Sequence, residues 1–568
     1  MHQAAAGYLL FFVLSPLMII AQSSARSPEE HPPIVEFSLE GGFYEHDLEL
    51  RLVAPGASIH YTTNGTKPNR KSRRYRGAIP ITETTVVRAV AYRDSRRGPT
   101  LGHTYFIREP ETTFPVVSIG IPSWLLFDPQ RGLFMQGAKA IDTIASMPGA
   151  NFWSRKEVLI NAEIFETNGQ CVYRSESGMR LFGGMSRLFP QKSLAIVARK
   201  RYGKKRIKHP IFGEDGPEEF KFLVLRNSGS DWGKTHFRDG LMTGLVKDWD
   251  LEVQDFRPAH VYINGDYWGL YNIREKVNRY FVATYHDVDK DSIDLIEHYM
   301  SLKRGSRRHY KHLLDYLEAN DLSQPANFAY VQSLMDVDNF MNYQIAQIYF
   351  DNQDAGGNIK FWRPQTPRGR WRWILYDTDW GFGLHQADAY RNNSLTFHTE
   401  PNGPNWPNPP WSTFILRKLL ENDDFRRAFV NRFADHLNTA FSPPRVQGRI
   451  DSMQRQLLPE IDRHLSRWRL KKEWWAKHVD IMRTFAAERP WYLRMHLMDF
   501  FRTGKMRELA ISASHGGTVV VNDYLRIRHD NPLRGTYFER VPVSIKVIPN
   551  YGYRFSHWEG IDVDRELR

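Results

Sequence analysis

A single cysteine, Cys171, stands among 568 residues. That scarcity excludes an intramolecular disulfide, a disulfide scaffold and any CxxC zinc site. No apolar run approaches the roughly 20 residues of a membrane-spanning helix, so no span is expected in the mature chain. His385 and His398 lack HExxH or any other paired ligand spacing, so zinc is not expected either. The stretch DVDKDSID, Asp287 to Asp294, begins like a calcium loop, but Ser292 and His298 stand where that loop needs Gly and Glu; it reads as a solvated acidic turn. Acidic charge is in deficit: 64 Asp and Glu against 77 Lys and Arg leave a net +13. The excess favours anionic partners without choosing among them. What is present is ordinary for a globular chain, with 41% hydrophobic, 25% charged and 13% aromatic residues, which excludes wholesale disorder. At about 150 residues per domain the length implies three or four domains.

Tyr8 to Ala21 is a short apolar run broken by Ser15 and Pro16 and followed by small polar residues. It reads as a signal peptide over residues 1–25, with an uncleaved anchor as the alternative because the segment before it carries no Lys or Arg. The expected location is secreted or at the cell surface. Residues 30–108 read as a β-sandwich: apolar and polar residues alternate from Leu48 to Leu52, β-branched residues run from Thr84 to Val87, and Asn64-Gly65 signals a turn. The basic run Lys67 to Arg76 is expected to be a solvated loop. Residues 113–505 form a long α+β region that turns helical after Trp411. There Phe425, Phe429 and Phe433 mark a core stripe, and Pro443-Pro444 and Pro490 are read as helix punctuation. Residues 508–568 return to short strands.

Four clusters in the long region carry candidate chemistry. In the first, Gly178 to Lys200, a glycine-rich turn with Gly183, Gly184 and Ser186 precedes Lys192. Backbone N–H groups of such a hairpin can approach phosphate oxygens, and a nearby lysine adds a point charge. Ten Lys and Arg and no acid lie between Arg180 and Lys208; an exposed basic hairpin is the other reading. In the second, LRNSGSDWGKTHFRDG, a strand and polar loop lead to a helix with Asp239 in its first turns, where it can complement the helix dipole; the other reading has this helix orient Lys192 through a carboxylate, with the partner left open because no Glu is at hand. In the third, VYINGDYWGLYNIREKV, Asn264-Gly265 is a strong hairpin signal and Glu275 closes the second strand. In the fourth, Asp351 to Gly383, a loop bears Asp354 and Asn358, and a hairpin then delivers Asp377 and Asp379. Residues i and i+2 of an extended strand share a face, so both carboxylates are expected in one site. Oxygen donors of this kind suit Mg²⁺, and without a cation each carboxylate would raise the pKa of the other.

The motifs SRLFPQKS, LRNSGSDW with RDG, YINGDYWGLYNIREK, the loop before NIKFWR, and WILYDTDWGFG together resemble the CotH kinase family, secreted or spore-coat proteins with an atypical protein-kinase fold. The Y-T-T-x-G-x-x-P stretch at Tyr61 to Pro68 is similar to the chitobiase/hexosaminidase C-terminal type of β-sandwich. Gly552 to Gly560 resembles the end of a bacterial surface repeat. These likenesses imply a multidomain chain, an α+β atypical kinase-like core flanked by small all-β domains. The family likeness implies ATP-dependent transfer to Ser or Thr of a protein substrate with Mg²⁺ or Mn²⁺. Lys192 would hold phosphates beside Gly183, Gly184 and Ser186, and Glu275 would lie by the adenine. Asp354 would orient or deprotonate the acceptor hydroxyl, and Asp377, Asp379 and Asn358 would hold the metal. Two departures stand out: Asp354 to Asn358 is one residue shorter than the ordinary kinase catalytic loop, and the tryptophan many relatives place there is missing.

The accessory β domains suggest contact with a cell surface or glycan, and no nucleic-acid partner is expected. A catalytically idle surface or adhesion protein is the competing reading. A carbohydrate-active enzyme is a weaker one, because side-by-side carboxylates do not flank a glycosidic bond.

Overall fold

The computed structural model describes residues 31–560; the expected signal peptide lies outside the described residues. Among them, no helix is long and apolar enough to cross a membrane.

The first unit is built from short strands. Leu48, Leu50 and Leu52 are buried while Glu49 and Arg51 face solvent, so the alternation in the sequence appears as a pleat with one wet face. The main sheet orders Gly42–Tyr44, Leu101–Ile107, Thr85–Arg93, Ser58–Thr62 and Arg73–Arg74, and a two-stranded ladder of Leu48–Leu50 with Ile79–Ile81 contributes to the same core. One pairing departs from the antiparallel expectation: Gly42–Tyr44 runs parallel to Leu101–Ile107.

Next comes a closed seven-stranded barrel: β1 Val116–Gly120, β2 Val158–Phe165, β3 Cys171–Leu181, β4 Leu194–Val197, β5 Phe222–Arg226, β6 Phe256–Ile263 and β7 Asp266–Glu275. Its order is β1-β2-β3-β4-β5-β7-β6, and closure comes from a parallel pairing of β1 with β6. Closure removes both sheet edges, and side chains such as Ile160, Met179, Ile196, Leu223 and Ile273 fill the interior. Asn264 and Gly265 join β6 to β7 with φ of 56° and 97°, the left-handed pair a tight hairpin turn requires. A helix, α1 (Arg238–Leu245), leaves the barrel after β5.

The remaining lobe contains a second sheet and most of the helices. The sheet orders Glu252–Val253, then β11 (Arg372–Leu375), β10 (Lys360–Pro364), β8 (Ile293–Glu297) and β9 (Ser301–Arg304). Helix α2 (Val337–Phe350) lies in the middle with every residue but Asp338 buried. Around it pack α3 (Asp423–Asn438), α4 (Pro443–Leu457), α5 (Ile461–Trp468) and α6 (Lys472–Phe501). Phe425, Phe429 and Phe433 are in this core. Pro443 begins α4, but Pro490 does not end a helix: α6 passes through it for 30 residues. Packing along that length outweighs the roughly 3 kcal/mol of an interior proline.

The terminal units are docked, not tethered. Arg88 of the sandwich is fully buried and bonds Glu176 of β3 at 2.5 Å, and Lys67 reaches the same carboxylate at 2.7 Å, so one end of the basic run forms an ion pair between domains. The β6–β7 turn presses on the sandwich so closely that a Cβ on Gly265 would lie 2.1 Å from the Thr84 carbonyl oxygen. The C-terminal strands share the helical core through Val521, Leu533 and Tyr537, and Tyr537 donates to Asp435 of α3 at 2.7 Å. Gly265→Ala is therefore expected to lower stability by about 1–3 kcal/mol, seen as a lower melting temperature with easier proteolysis near residue 110. An unchanged melt and digestion pattern would show that the contact does not hold the two units together.

Candidate functional site

The barrel and the helical lobe enclose a cleft of about 900 Å³. Its barrel wall follows one register row, Arg180 opposite Ala195, Ala195 opposite Val224, and Val224 opposite Arg274. Residues paired across neighbouring strands point to one face, so this row presents two small apolar side chains between two guanidiniums. Gly183, Gly184 and Ser186 roof the cleft, Lys276 and Val277 stand at the junction of the lobes, and Asp354, Asn358, Asp377 and Asp379 form the opposite wall.

The glycine-rich turn is held by Arg187, whose guanidinium donates to the carbonyls of Gly183 at 2.8 Å, Leu181 at 3.2 Å and Phe152 at 3.1 Å. Gly183 has φ of 88°, which favours glycine. A Cβ on Gly184 would meet nothing within 4 Å, so that backbone lies open.

Lys192 differs from expectation. It precedes β4 and is buried away from the cleft lining, with Nζ donating to the Phe189 carbonyl at 2.6 Å and lying 4.8 Å from the centre of the Phe152 ring. Burial lowers its pKa to about 8, and no carboxylate pairs with it among the described residues. Asp239 accordingly does not orient Lys192. The reason lies in the strand alternation: Ser193 and Ala195 take the cleft side, which leaves Lys192 on the side of the barrel core with Leu194 and Ile196.

The cation facing the aspartates is Arg226, at the end of β5. Its Nη2 donates to Asp379 Oδ2 at 2.6 Å and also to Asp377 Oδ1, and its Nε lies 3.9 Å from Asp239. Asp239 in turn accepts from Arg274 at 2.5 Å and from the Thr378 N–H and hydroxyl at 3.0 and 2.9 Å. The adjacent Arg238 bonds Asp231 at 3.1 Å and the Phe382 carbonyl. The RDG stretch at the start of α1 thus grips both ends of the DTDWGF segment. Strand β11 stops at Leu375, and Asp377 takes φ of 56°, so the two carboxylates do not share a face by strand pleating. They converge because one guanidinium holds both. Gly229 allows this: a Cβ there would sit 2.0 Å from Asp379 Oδ2.

The electrostatics divide the acids. Burial works against ionisation of Asp239, but Arg274, Arg226 and the Thr378 donors hold it at about 2. Asp379 is pushed upward by burial and by the charges of Asp377 and Asp239, despite Arg226. Burial and then Asp377 raise Asp354 to about 6, against hydrogen bonds from Trp406 and Asn358. Those bonds place Trp406 Nε1 2.6 Å from Oδ1 and Asn358 Nδ2 2.8 Å from Oδ2. The Asp354 loop carries no tryptophan of its own, and Trp406 reaches it from about 50 residues downstream. Gly356 and Gly357 let it in, since a Cβ on Gly356 would lie 2.2 Å from the Pro407 carbonyl oxygen. Glu275 turns away from the cleft lining toward Tyr285 at 2.6 Å and the Asp255 N–H at 3.0 Å, and burial raises it to about 7.

The structure thus brings together Gly183, Gly184, Ser186, Asp354, Asn358, Asp377 and Asp379, but not Lys192 or Glu275. Arg226, Arg180 and Trp406 line the same cleft without having been singled out in the sequence, and Lys276, next to Glu275 at the end of β7, lines it as well. Arg226 had a signal, ending a strand just before the polar NSGSD loop. Trp406 had none at all. The acidic turn Asp287 to Asp294 is spent on local bonds, with Asp289 capping Ser292 and Asp291 pairing with Arg279 and Lys290.

Two family models match the chain. The one described as CotH kinase protein matches residues 179–493, more than half of it, and the one described as Chitobiase/beta-hexosaminidase C-terminal domain matches residues 39–100. No curated protein matches the chain.

Asp239 yields a pH prediction. Its folded pKa, about 2, lies below the unfolded 3.8. It therefore contributes roughly 2 kcal/mol that is fully present above about pH 4 and is lost as pH falls toward 2. Asp239→Asn, which leaves the buried Arg274 guanidinium without a carboxylate partner among the described residues, should cost about 3–5 kcal/mol at pH 7. Urea melts at pH 7 and pH 3 should show the gap between variant and parent narrowing in acid; a gap independent of pH would contradict the assignment.

Proposed function

The chain belongs to the CotH kinase protein family, and on that premise we propose that it transfers the γ-phosphoryl group of ATP to a Ser or Thr hydroxyl of an extracytoplasmic or coat protein, reached by export through the N-terminal leader. One observation carries this reading: a glycine-rich turn, the Asp354–Asn358 loop and the Asp377/Asp379 pair, drawn from segments about 200 residues apart, line a single cleft. The kinase-like core is part of the same proposal, with the barrel in the role of the nucleotide-covering lobe and the α2 lobe carrying the acidic loops.

The donor set suits a divalent cation. Among the described residues, Asp377 Oδ2, Asp379 Oδ1 and Asn358 Oδ1 accept no protein hydrogen bond, and all are hard oxygens. Asp377, Asp379 and Asn358 would hold Mg²⁺ or Mn²⁺, which when bound neutralises charge on the phosphoryl oxygens. Leu181, Ala195, Val224 and Val277 in the lining would offer the adenine an apolar wall, and Arg180 and Lys276 would face the phosphates of the nucleotide. Lys276 is depressed to about 8 by burial and then by the Arg180 charge. Asp354, steadied by Trp406 and Asn358, keeps lone pairs on both oxygens for an acceptor hydroxyl. Its raised proton affinity suits taking that proton. Positioning and charge neutralisation supply most of the rate in such transfers.

Arg226 favours a second reading. It already spans the two aspartates that the metal needs, and Lys192 stands outside the cleft, as would suit a binding protein that keeps the fold without catalysis. Purified protein with Mn²⁺ or Mg²⁺ and labelled ATP separates the two. Metal-dependent nucleotide binding and label transfer are expected, with transfer reduced about 100-fold or more by Asp377→Ala and Asp354→Asn still binding nucleotide. Binding without transfer would establish the second reading, and loss of both in folded parent protein would end the kinase reading.

A further inference from the structure

Outside the cleft, the densest charge on the molecule lies on the segment that follows β4. From Arg199 to Lys208 seven of ten residues are Lys or Arg. Acid compensates them only in part. Glu157 is one carboxylate shared by Arg180 at 3.5 Å, Arg199 at 2.8 Å and Arg201 at 2.7 Å, and Glu219 takes Arg206 at 3.1 Å. Lys200, Lys204, Lys205 and Lys208 are exposed and have no carboxylate partner among the described residues.

The segment lies along the outer face of β3. Tyr202 sits over Gly178, where a Cβ would be 2.8 Å from its ring, and the Lys204 N–H donates to Ser175 Oγ at 3.0 Å. At the far end a second groove, of about 590 Å³, is lined by Val172, Tyr173, Lys204, Lys205 and Lys208 together with the Arg206–Glu219 ion pair, in which the one carboxylate of the lining is held by a guanidinium. At the near end Arg180, also on β3, lines the catalytic cleft. Seven residues of extended strand separate Tyr173 from Arg180, about 23 Å at roughly 3.3 Å per residue. The ridge's field is felt around it: Lys221 is held below its ordinary pKa by burial and then by Arg206, Arg199 and Lys205.

We infer that this ridge is a docking site for an Asp/Glu-rich stretch of the polypeptide substrate, placed at least seven residues from the hydroxyl that enters the cleft, since Arg180 marks only the barrel wall and Asp354 stands on the opposite one. The inference rests on the kinase reading for its direction toward Asp354. A peptide fits better than a single-stranded nucleic acid, which binds by stacking bases on exposed aromatic rings. The groove's Tyr173 is 1% exposed and bonds Ser177 at 2.8 Å, leaving no ring face to stack on. A carboxylate-rich chain needs only the row of ammonium groups and gains on-rate from the field.

The test uses the full chain and a labelled 12-residue Asp/Glu-rich peptide in an anisotropy titration at 0.15 M salt. Binding is expected to weaken at least tenfold in the Lys204→Gln/Lys205→Gln/Lys208→Gln variant, to recover in the triple Lys→Arg variant, and to be unchanged in Asp377→Ala. This readout needs no catalysis, so failure of the kinase reading leaves it standing as a result about the ridge alone. With labelled ATP, Ser peptides carrying the acidic tract seven to twelve residues away should show a lower KM than one without it at equal kcat, and the Gln variant should remove the difference. Equal peptide binding by parent and Gln variant overturns the proposal. So does tighter binding of a single-stranded oligonucleotide of the same charge, which would assign the ridge to nucleic acid.

Discussion

Arg226 is the hinge of the site. Its guanidinium is largely withdrawn from solvent at the end of a barrel strand, with the side chain 12% exposed, where an unpaired charge would be costly. Three carboxylates meet that demand: Asp377 and Asp379 from the acidic segment and Asp239 from α1. The dependence is mutual. Without Arg226 the aspartates would repel one another in a site that already raises Asp379. Barrel, helix and acidic segment are thereby fastened together at the point where the proposed chemistry occurs, and Gly229, Thr378 and Arg238 make that fastening sterically and conformationally feasible.

The same economy of contacts joins the units. A chain with one cysteine has no disulfide to lock its domains, and here their interfaces do that work through buried charge and close backbone approach. Arg88 with Glu176, the β6–β7 turn against Thr84, and Tyr537 on Asp435 make the sandwich and the C-terminal strands part of one packed body. The barrel wall of the cleft is held from behind by the sandwich, so a module that reads as an accessory is mechanically continuous with the site. The helical lobe is held in turn by α2, whose buried length delivers the Asp354 loop to a fixed place.

Local patterns were legible because their causes are local. The Leu48–Leu52 alternation, the Asn264-Gly265 turn and the phenylalanine stripe of α3 depend on period and on positive φ, and each appears in the structure where the pattern puts it. The glycine turn, Asp354, Asn358 and the DTD pair were also legible, because clustered polar residues in a short motif have few uses other than a site. Lys192 and Glu275 failed for one shared reason: which face of the barrel a side chain takes depends on register with a neighbouring strand. Pro490 failed because a proline's local penalty is small beside the packing of a 30-residue helix.

By itself, then, the sequence determined the order of units, the family, the residue types of the acidic loops and the location of the basic excess, all properties that a linear string of side chains carries. Only the tertiary structure decided that Arg226, not Lys192, faces the aspartates, that Trp406 reaches Asp354 from a distant loop, and that the basic ridge and the cleft share strand β3. Those are contacts between residues from 50 to 150 positions apart. They arise because buried charges must find partners wherever the fold brings them, and no local pattern encodes that meeting.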